Sequence, residues 1–418
     1  MTVAPTKVIP TSILRDLIAA EVPDLIAIRR DLHAHPELGY SEQRTSGIVK
    51  RELEAAGIEH VGDLAGGTGV LAHLPAPAPT PTTAPGNGTA RAIGLRADMD
   101  ALPITEATGL PYKSTNAGVM HACGHDGHTA ILIGTARILA RLAGVNGGLP
   151  RPVTFIFQPA EEGGAGGKRM VEDGCLDGSL LGPPIEHMFG LHGWTLLELG
   201  KVMTRPGPML AASDVFEIEI TGRGGHAAMP HMTADPIVAG SAVVSALQHI
   251  ASRNADPLDS IVVSITQFHA GTTHNIIPER IHFAGTVRTL KAETQEMAIN
   301  RVNEIALDIA RAHQCEAEVS YHIGYPVTMN DPAMVELFNE TARAALGRER
   351  VKHMDLPVMG GEDFSFYGQR VPSCFFALGL IPEGQDSMIP VHHPKFDFND
   401  DAIATGVEMF CRLALREA

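Results

Sequence analysis

Hydrophobic and polar positions follow one pattern up to about residue 204 and a different pattern after it. In the first part, short apolar runs typical of buried strands alternate with longer segments of helical spacing. Strands that alternate with helices favour a mainly parallel sheet covered by helices. The predicted helices cover 12–30, a segment capped by Ser41 that ends near Gly57, and the apolar run from 130, and the predicted strands cover 68–74, 92–95, 153–157 and 188–194.

The second pattern begins with a strand over 214–221, in which apolar positions alternate with positions that include two glutamates, as in a half-exposed strand. A helix over 233–252, strands over 260–269 and 280–290, a helix over 293–313 and a strand over 316–322 follow. This β-α-β-β-α-β order predicts a ferredoxin-like α+β unit. We therefore expect an α/β fold of two domains, with 205–323 inserted between 1–204 and 324–418. The last part is predicted to contain a helix over 332–346, a strand over 374–378 and a closing helix from 399.

The composition limits the class of protein. The 418 residues are 44% hydrophobic and 19% charged, which is typical of a globular chain with more than one domain. A net charge of −16 argues against nucleic acid and anionic membranes as partners. Five scattered cysteines without a CxxC pair fit reduced thiols, and neither a signal-peptide pattern nor a membrane-spanning run is visible, so we expect a cytoplasmic protein. The proline-rich segment 75–85 is expected to form an exposed loop between two strands.

The stretch 120–129 (MHACGHDGHT) places one thiol, three imidazoles and one carboxylate within ten positions. Thiolate and imidazole together suit zinc and related divalent ions, and glycines allow neighbouring side chains to converge. We expect Cys123 and His125 to lie in a loop at the N-terminus of the following helix, where the helix dipole favours a thiolate. A buried free thiol with loop histidines is the alternative.

Further polar residues lie where apolar strands end, which is where open α/β sheets place their chemistry. Five residues are candidate ligands for two ions that share one bridge: Cys123, His125, Glu162, His192 and His392. One glutamate of the pair Glu161–Glu162 can bind metal while the other acts as general base for water, and the pattern leaves open which does which. Asp98 and Asp100 are candidates for the site or for a capping role. His33 and His35 are expected to be structural or to support the site from outside it.

Eight segments together resemble the M20 metallopeptidase family, in particular its amidohydrolase branch of hippurate hydrolases, N-acyl-amino-acid aminoacylases and auxin-conjugate hydrolases. They are 32–40, 95–103, 120–129, 157–164, 222–231, 275–279, 360–364 and 392–399. The resemblance implies a zinc-peptidase-like catalytic domain with two divalent ions (Mn, Zn, Co or Ni). The implied roles are Cys123 as bridging ligand, His125, Glu162, His192 and His392 as further ligands, Glu161 as general base and Asp98 as a residue that orients a ligand. Arg96 stands where the wider family has the first histidine of a His-x-Asp motif, so His125 would take over that coordination.

For the inserted domain, the resemblance implies a lid that also mediates a homodimer or homotetramer. His226, in the sequence Gly-Gly-His-Ala, matches a histidine that polarises the scissile carbonyl, usually from the partner subunit, and a plain turn histidine is the alternative. Asn275 and Arg288 would bind the substrate carboxylate, although Arg288 could equally be a surface residue of a strand. Gly361, in the sequence Gly-Gly-Glu, would line the pocket.

The sequence therefore predicts a metal-dependent amidohydrolase that acts on small N-acyl or N-aroyl amino acids. Three alternatives stay open: a dipeptidase or other deacylase of the same family, a cysteine hydrolase with Cys123 as nucleophile and His125 or His128 as base, and a non-catalytic metal- or ligand-binding protein. The pair Glu161–Glu162 disfavours the last alternative, because binding alone needs no additional base.

Overall fold

The structure is a computed structural model that describes residues 9–76, 91–145 and 148–416. These residues form two compact units: the first contains the chain up to Gly207, Met329–Asp355 and Asp363–Ala418, and the second contains Pro208–Thr328 and Leu356–Glu362. The sequence analysis placed 356–362 in the larger domain. In the structure the N–H of Ala211 donates to the carbonyls of Val358 and Gly360, which ties this segment to the second unit.

The N-terminal part of the first unit contains four helices and six strands. In chain order they are α1 (Thr11–Ala34), α2 (Gln43–Ala55), β1 (Glu59–Leu64), β2 (Gly69–Leu74), β3 (Ala92–Asp98), α3 (His125–Val145), β4 (Val153–Gln158), α4 (Gly166–Glu172), β5 (Ile185–Glu198) and β6 (Val202–Thr204). All four strands predicted in this part are present. The prediction missed β1, whose side chains are mostly exposed or half-buried and show no apolar alternation.

The second unit follows in the chain. Its elements are β7 (Gly207–Leu210, beginning in the first unit), β8 (Ala212–Thr221), β9 (Gly225–His226), α5 (Pro236–His249), β10 (Ile261–Ala270), β11 (Ile276–Ile277), β12 (Arg280–Thr289), α6 (Ala292–Ala312) and β13 (Glu316–Tyr325). The four long strands form an antiparallel sheet in the order β10-β12-β8-β13. With α5 and α6 as connections, this is the predicted ferredoxin-like arrangement. Its core includes the fully buried Phe216, Ile218 and Ile220 of β8.

The last elements begin where the chain returns to the first unit. They are β14 (Thr328–Asn330), α7 (Pro332–Leu346), β15 (Val351–His353), α8 (Ser365–Gly368), β16 (Ser373–Ile381) and α9 (Ala402–Ala414). The carboxylate of Asp331 accepts hydrogen bonds from the N–H groups of Ala333 and Met334 and so caps α7. Among the helices that the structure describes, none is long and apolar enough to cross a membrane.

The main sheet of the first unit has the strand order β1-β2-β4-β3-β5-β16-β6-β15. The central pairs β4–β3, β3–β5 and β5–β16 are parallel, as is β6–β15, which confirms the prediction of a mainly parallel sheet. Helices α1, α3 and α9 form one apolar core with it, in which Leu25, Leu132 and Val407 are fully buried. Gly134 allows α1 and α3 to approach closely, since a Cβ there would lie 2.4 Å from Leu25 Cδ1.

Two local predictions are wrong. Ser41 does not cap α2, because the helix begins at Gln43 and Glu42 occupies the cap position. His125 does not lie in a loop, because α3 begins at His125 itself and only Cys123 precedes the helix. Gly124 makes the bend between them with a φ of +95°. Most of the predicted proline-rich loop, 77–85, lies outside the described residues.

Candidate metal centre

The carboxyl ends of neighbouring strands bring polar side chains to one edge of the first unit's sheet. Strands β3 and β4 are parallel, with Asp98 paired to Gln158, the last residue of β4. The pair Glu161–Glu162 follows directly after this point, and His192 lies on β5, the parallel neighbour on the other side of β3. Because parallel strands end at the same edge, these side chains converge there.

Two further segments bring candidate ligands to this group of polar side chains. Cys123 and His125 arrive at the N-terminus of α3. His392 is attached to the same segment, since its backbone N–H donates to the carbonyl of Ala122 at 2.7 Å. His392 has a φ of +63°, a left-handed conformation that is costly for a residue with a side chain and is found mostly at functional sites.

The structure brings all five predicted ligands together as two trios that share one thiol. Ligand atoms of Cys123, His125 and His192 lie within 4.8 Å of one another, and so do those of Cys123, Glu162 and His392. Within the trios, Cys123 Sγ lies 3.3 Å from His192 Nε2, and Glu162 Oε1 lies 3.2 Å from His392 Nε2. A sulfur common to two sets of nitrogen and oxygen donors fits two ions bridged by a thiolate.

The two buried imidazoles present the same nitrogen to the centre of the group. His192 Nδ1 donates to the carbonyl of Gly193 at 2.8 Å, and His125 Nδ1 donates to the carbonyl of Asp100 at 2.9 Å. A carbonyl oxygen can only accept, so these bonds leave Nε2 of each ring available to bind metal. His125 Nε2 is buried and has no hydrogen-bond partner among the described residues. A bound cation would satisfy this nitrogen.

The electrostatics of the two ligand trios favour the binding of a cation. Burial, together with the carboxylates of Glu162 and Glu161, raises the pKa of the Cys123 thiol well above its usual value. In the protein alone, desolvation and two nearby carboxylates therefore oppose the thiolate that the helix N-terminus is expected to favour. Burial lowers the pKa of His192 to about 3, which keeps this ring neutral, as a metal ligand must be.

Glu161 lies beside the proposed ligands. Its carboxylate is grouped with ligand atoms of His125 and Glu162 within 4.8 Å, and the residue is buried. The backbone N–H of Asp363 approaches Glu161 Oε1 at 3.4 Å. The side chain is thus placed next to the metal trios without being a member of either trio that contains Cys123.

Asp98 is linked to the candidate ligand His192 through His128. Its Oδ2 lies 3.8 Å from His125 Nε2, whereas its Oδ1 accepts a hydrogen bond of 2.7 Å from His128 Nδ1. His128 Nε2 in turn accepts the N–H of Gly193 at 2.8 Å, and the carbonyl of that same glycine orients His192. The sequence analysis missed this positioning function of His128, although the residue stands in the same motif three positions after His125.

Arg96 cannot serve as a ligand. The guanidinium is fully buried and contacts Asp98 Oδ2 at 2.6 Å and Asp363 Oδ1 at 2.9 Å. A permanently charged cation has no lone pair to offer a metal, and these contacts keep it paired with carboxylates. That His125 takes over the coordination of the histidine absent at this position stays a prediction.

The cysteine-nucleophile alternative loses one of its two candidate bases. Both ring nitrogens of His128 are bonded elsewhere, and the imidazole in hydrogen-bond contact with Cys123 Sγ is that of His192. A ring nitrogen of His125, the other candidate base, lies within 4.8 Å of Cys123 Sγ. His33 lies away from the trios and contacts Asp126 Oδ2 at 2.8 Å. His35 is half-buried and bonds the carbonyl of Asp31 at 2.9 Å, so both are placed as structural histidines.

The predicted residues of the second unit fall into two groups. His226 on β9 pairs with Ile276 on β11, next to Asn275, and the side chains of His226 and Asn275 are exposed. The second group lies at the other end of the four-stranded sheet, where Arg288 pairs with Ser213 and a Cβ at Gly361 would lie 2.9 Å from Ser213 Cβ. Arg288 is half-buried, and desolvation lowers its pKa. The structure therefore brings His226 and Asn275 together but not His226 and Arg288.

The chain is similar to proteins of known family. Residues 94–416 match the family described as Peptidase family M20/M25/M40. A hippurate hydrolase of Campylobacter jejuni is 39% identical over 389 residues, which cover 93% of this chain and 95% of that protein. An N-acetyl-L-cysteine deacetylase of Bacillus subtilis is 39% identical over 380 residues, 91% of this chain and 84% of that protein. The crystal structure of the Bacillus subtilis YxeP protein, described as a dinuclear metal-binding peptidase from the M20 family, matches with a TM-score of 0.77 at 34% identity and covers 95% of this chain and 98% of that one.

Proposed function

The chain belongs to peptidase family M20/M25/M40, and on this premise we propose that it is a metal-dependent amidohydrolase of N-acyl or N-aroyl amino acids. The products are a carboxylic acid and a free amino acid. The observation that carries the proposal is that two ligand trios share Cys123 while the carboxylate of Glu161 lies beside them. The relatives named hippurate hydrolase and N-acetyl-L-cysteine deacetylase support the same type of scissile bond.

We propose that two divalent ions, drawn from Mn, Zn, Co and Ni, bind at this centre. His125 and His192 would hold one ion and Glu162 and His392 the other, with Cys123 contributing to both. When bound, the ions polarise the scissile carbonyl and lower the pKa of the attacking water. The dinuclear metal binding described for the YxeP structure supports the number of ions.

Glu161 is the proposed general base. It accepts a proton from water as the water oxygen bonds to the carbonyl carbon, and it delivers that proton to the amide nitrogen as the C–N bond breaks. Its backbone N–H donates to Asp100 at 2.9 Å, and its carboxylate is approached by the N–H of Asp363. A base held at both its backbone and its side chain keeps one orientation between the two proton transfers.

In the second unit, we propose that His226 stabilises the oxyanion and that Asn275 and Arg288 bind the substrate carboxylate. Strand β12 separates the end near His226 from Arg288 by eight residues, roughly 27 Å at the rise of a strand. One copy of the unit cannot present both groups to one small substrate. Since Asn275 lies next to His226, this supports a homodimer or homotetramer in which a site receives both His226 of the partner subunit and Asn275 of the partner subunit. Gly361 as a pocket residue and the cytoplasmic location stay predictions.

The test measures metal content and hydrolysis of benzoyl-glycine and acetyl-amino acids on one preparation. We expect about two ions per chain, loss of activity on chelation, and recovery with Mn²⁺, Zn²⁺, Co²⁺ or Ni²⁺. Cys123→Ser should lose metal and activity, whereas the matched control Cys175→Ser, another buried thiol, should keep both. Activity that persists in metal-free protein would overturn the proposal, and turnover of dipeptides alone would make the protein a dipeptidase.

A further inference from the structure

Arg96 lies fully buried on β3 and donates hydrogen bonds to three different side chains. Its Nη1 donates to Asp98 Oδ2 at 2.6 Å and its Nη2 to Asp363 Oδ1 at 2.9 Å. Its Nε donates to Gln158 Oε1 at 2.9 Å. The side chains of Arg96 and of both aspartates are 0% exposed. Since a buried ion pair is often no more stabilising than apolar side chains of the same size, stability alone does not explain this arrangement.

The first carboxylate, that of Asp98, leads from Arg96 to a candidate metal ligand through a series of contacts. Asp98 Oδ1 accepts from His128 Nδ1 at 2.7 Å, and His128 Nε2 accepts the N–H of Gly193 at 2.8 Å. The carbonyl of Gly193 accepts from His192 Nδ1 at 2.8 Å, and the rings of His128 and His192 lie 4.7 Å apart. Because Arg96 binds the other oxygen of Asp98, the guanidinium fixes the orientation of the carboxylate from which this series starts.

The second carboxylate, that of Asp363, leads from Arg96 to the proposed base. The side-chain amide of Gln158 donates to both oxygens of Asp363, at 2.8 and 2.9 Å, and the N–H of Gly167 donates to its Oδ2 at 2.8 Å. The residue is thereby held through its side chain, and its own backbone N–H approaches Glu161 Oε1 at 3.4 Å. The place of this N–H beside Glu161 therefore depends on the groups that hold the Asp363 carboxylate, of which Arg96 is the charged one.

Both series of contacts start from one rigid group. A guanidinium is planar and permanently charged, and it presents its N–H groups in a fixed fork. The ammonium of a lysine is a compact charge on a flexible stem, so it does not fix two carboxylates relative to each other in the same way. Arginine at position 96 therefore supplies a geometry as well as a charge.

We propose that Arg96 is a positioning residue of the proposed hydrolase, which couples the placement of the ligand His192 to that of the base Glu161. This inference rests on the proposed function. A displaced guanidinium disturbs metal binding and proton transfer together, whereas the loss of one carboxylate contact disturbs mainly one of them.

Arg96→Lys tests the inference, because the positive charge stays but the fork is lost. The probes are Mn²⁺, titrated into metal-free protein, and the N-acyl amino acid that the wild type hydrolyses best, at saturating Mn²⁺. We expect one of the two Mn²⁺ ions to bind about 10- to 100-fold more weakly, kcat to fall about 10- to 100-fold, and KM to stay within about threefold. A lower midpoint of thermal unfolding with unchanged Mn²⁺ affinity and kcat would mean that Arg96 is purely structural, and would overturn the inference.

Two further variants separate the two series of contacts. Asp98→Asn can still accept from His128 but turns an NH2 group towards Arg96, so the Mn²⁺ affinity should fall by a larger factor than kcat. Asp363→Asn places an NH2 group among the donors that hold this side chain, so kcat at saturating Mn²⁺ should fall by a larger factor than the affinity. The inference is wrong if both variants change the same single readout, or if Arg96→Lys changes only one readout.

A double variant provides the second measurement if Arg96→Lys does not fold. Asp98→Asn/Asp363→Asn keeps Arg96 and is compared with the two single variants at one fixed Mn²⁺ concentration below saturation. Coupling through the guanidinium predicts that the two losses in activity do not multiply. Losses that multiply would show that the two carboxylates act independently, and would overturn the inference.

The matched control is Arg137→Lys. Arg137 on α3 also binds carboxylates, since its Nη1 lies 3.3 Å from Glu21 Oε2 and 2.6 Å from Asp24 Oδ2, but these two belong to α1. The control should keep the Mn²⁺ affinity, kcat and KM of the wild type, and losses equal to those of Arg96→Lys would contradict a specific role of Arg96. A wild-type protein that binds Mn²⁺ but is inactive on all N-acyl amino acids refutes the proposed function instead.

Discussion

The metal centre and the His226 region are held in place in opposite ways. At the metal centre, the side chains that face the ligands are bonded to residues far away in the chain, as His128 is to Asp98 at a separation of 30 residues. At the His226 region, the partners are local: His226 Nδ1 accepts the N–H of Ala228, and Asn275 Oδ1 accepts the hydroxyl of Thr273. The comparison shows that the first region is preorganised within one unit, whereas the second is an exposed surface whose side chains are held by local contacts.

The largest effect is expected at the preorganised region. Glu161→Gln should lower kcat by about 10²- to 10⁴-fold, because the amide cannot accept the proton of water. Metal content and the midpoint of thermal unfolding should stay close to those of the wild type, since the side chain keeps its size. Glu54→Gln, on the exposed face of α2, is the control. A kcat within tenfold of wild type would show that another group is the base.

The next effect concerns the exposed region. His226→Ala should lower kcat by about 10²- to 10³-fold, as removal of an oxyanion donor does, without lowering thermal stability. Mixing the His226→Ala and Glu161→Gln chains then distinguishes the source of the imidazole. In an equimolar mixture, about half of the dimers contain one chain of each variant. If His226 acts across subunits, each of these mixed dimers holds one intact site of two, so the mixture regains about a quarter of the wild-type sites. If no activity returns after subunit exchange, His226 acts within its own chain.

The smallest effect on activity is expected at His33. This residue contacts Asp126, which follows the candidate ligand His125 in the chain. Burial lowers the pKa of His33, but the hydrogen bonds to Asp126 and Glu106 outweigh it and raise the pKa to about 9. Since the folded value exceeds the unfolded value of 6.5, the stabilisation is complete below pH 6.5 and is lost as the pH rises through 9. The free energy of unfolding should fall by about 3 kcal/mol between these limits.

Urea unfolding of wild type and His33→Gln at pH 6 and pH 10 measures this effect. The difference in stability between the two proteins should be larger at pH 6 than at pH 10, while the exposed control His249→Gln should follow the wild type at both values. An equal difference at both pH values would mean that His33 is neutral in the folded protein.

Much of the fold follows from local patterns. The bounds of α7 were predicted as 332–346 and are observed as Pro332–Leu346, because Asp331 and Pro332 form a cap that is visible in the sequence. Cys123 and His125 were found because they stand in one dense motif, and Glu162 because it follows the apolar strand β4. The assignment of 356–362 could not be predicted, since backbone hydrogen bonds to Ala211 attach it to the second unit and leave no side-chain pattern.

The residues that support the site were harder to find than those that form it. Asp100 was a candidate for the site or a cap, but its partners Glu161 and Glu162 lie more than 60 residues away in the chain. His128 was weighed only as a general base for Cys123, whereas its position is defined by Asp98 and the backbone of Gly193. Spacing in a sequence reports which groups have the right chemistry, but not which distant N–H each one binds.

The place of β16 in the main sheet governs the order in which a newly synthesised chain can fold. β16 lies between β5 and β6, yet the ribosome makes Ser373–Ile381 only after the whole of Pro208–Thr328. Until then β6 has no neighbour on the β5 side, and β5 keeps one edge open. The inserted unit therefore has time to fold first, and the larger unit closes its sheet last. His392 is made later still, so the nascent chain completes its metal trios only after its sheet.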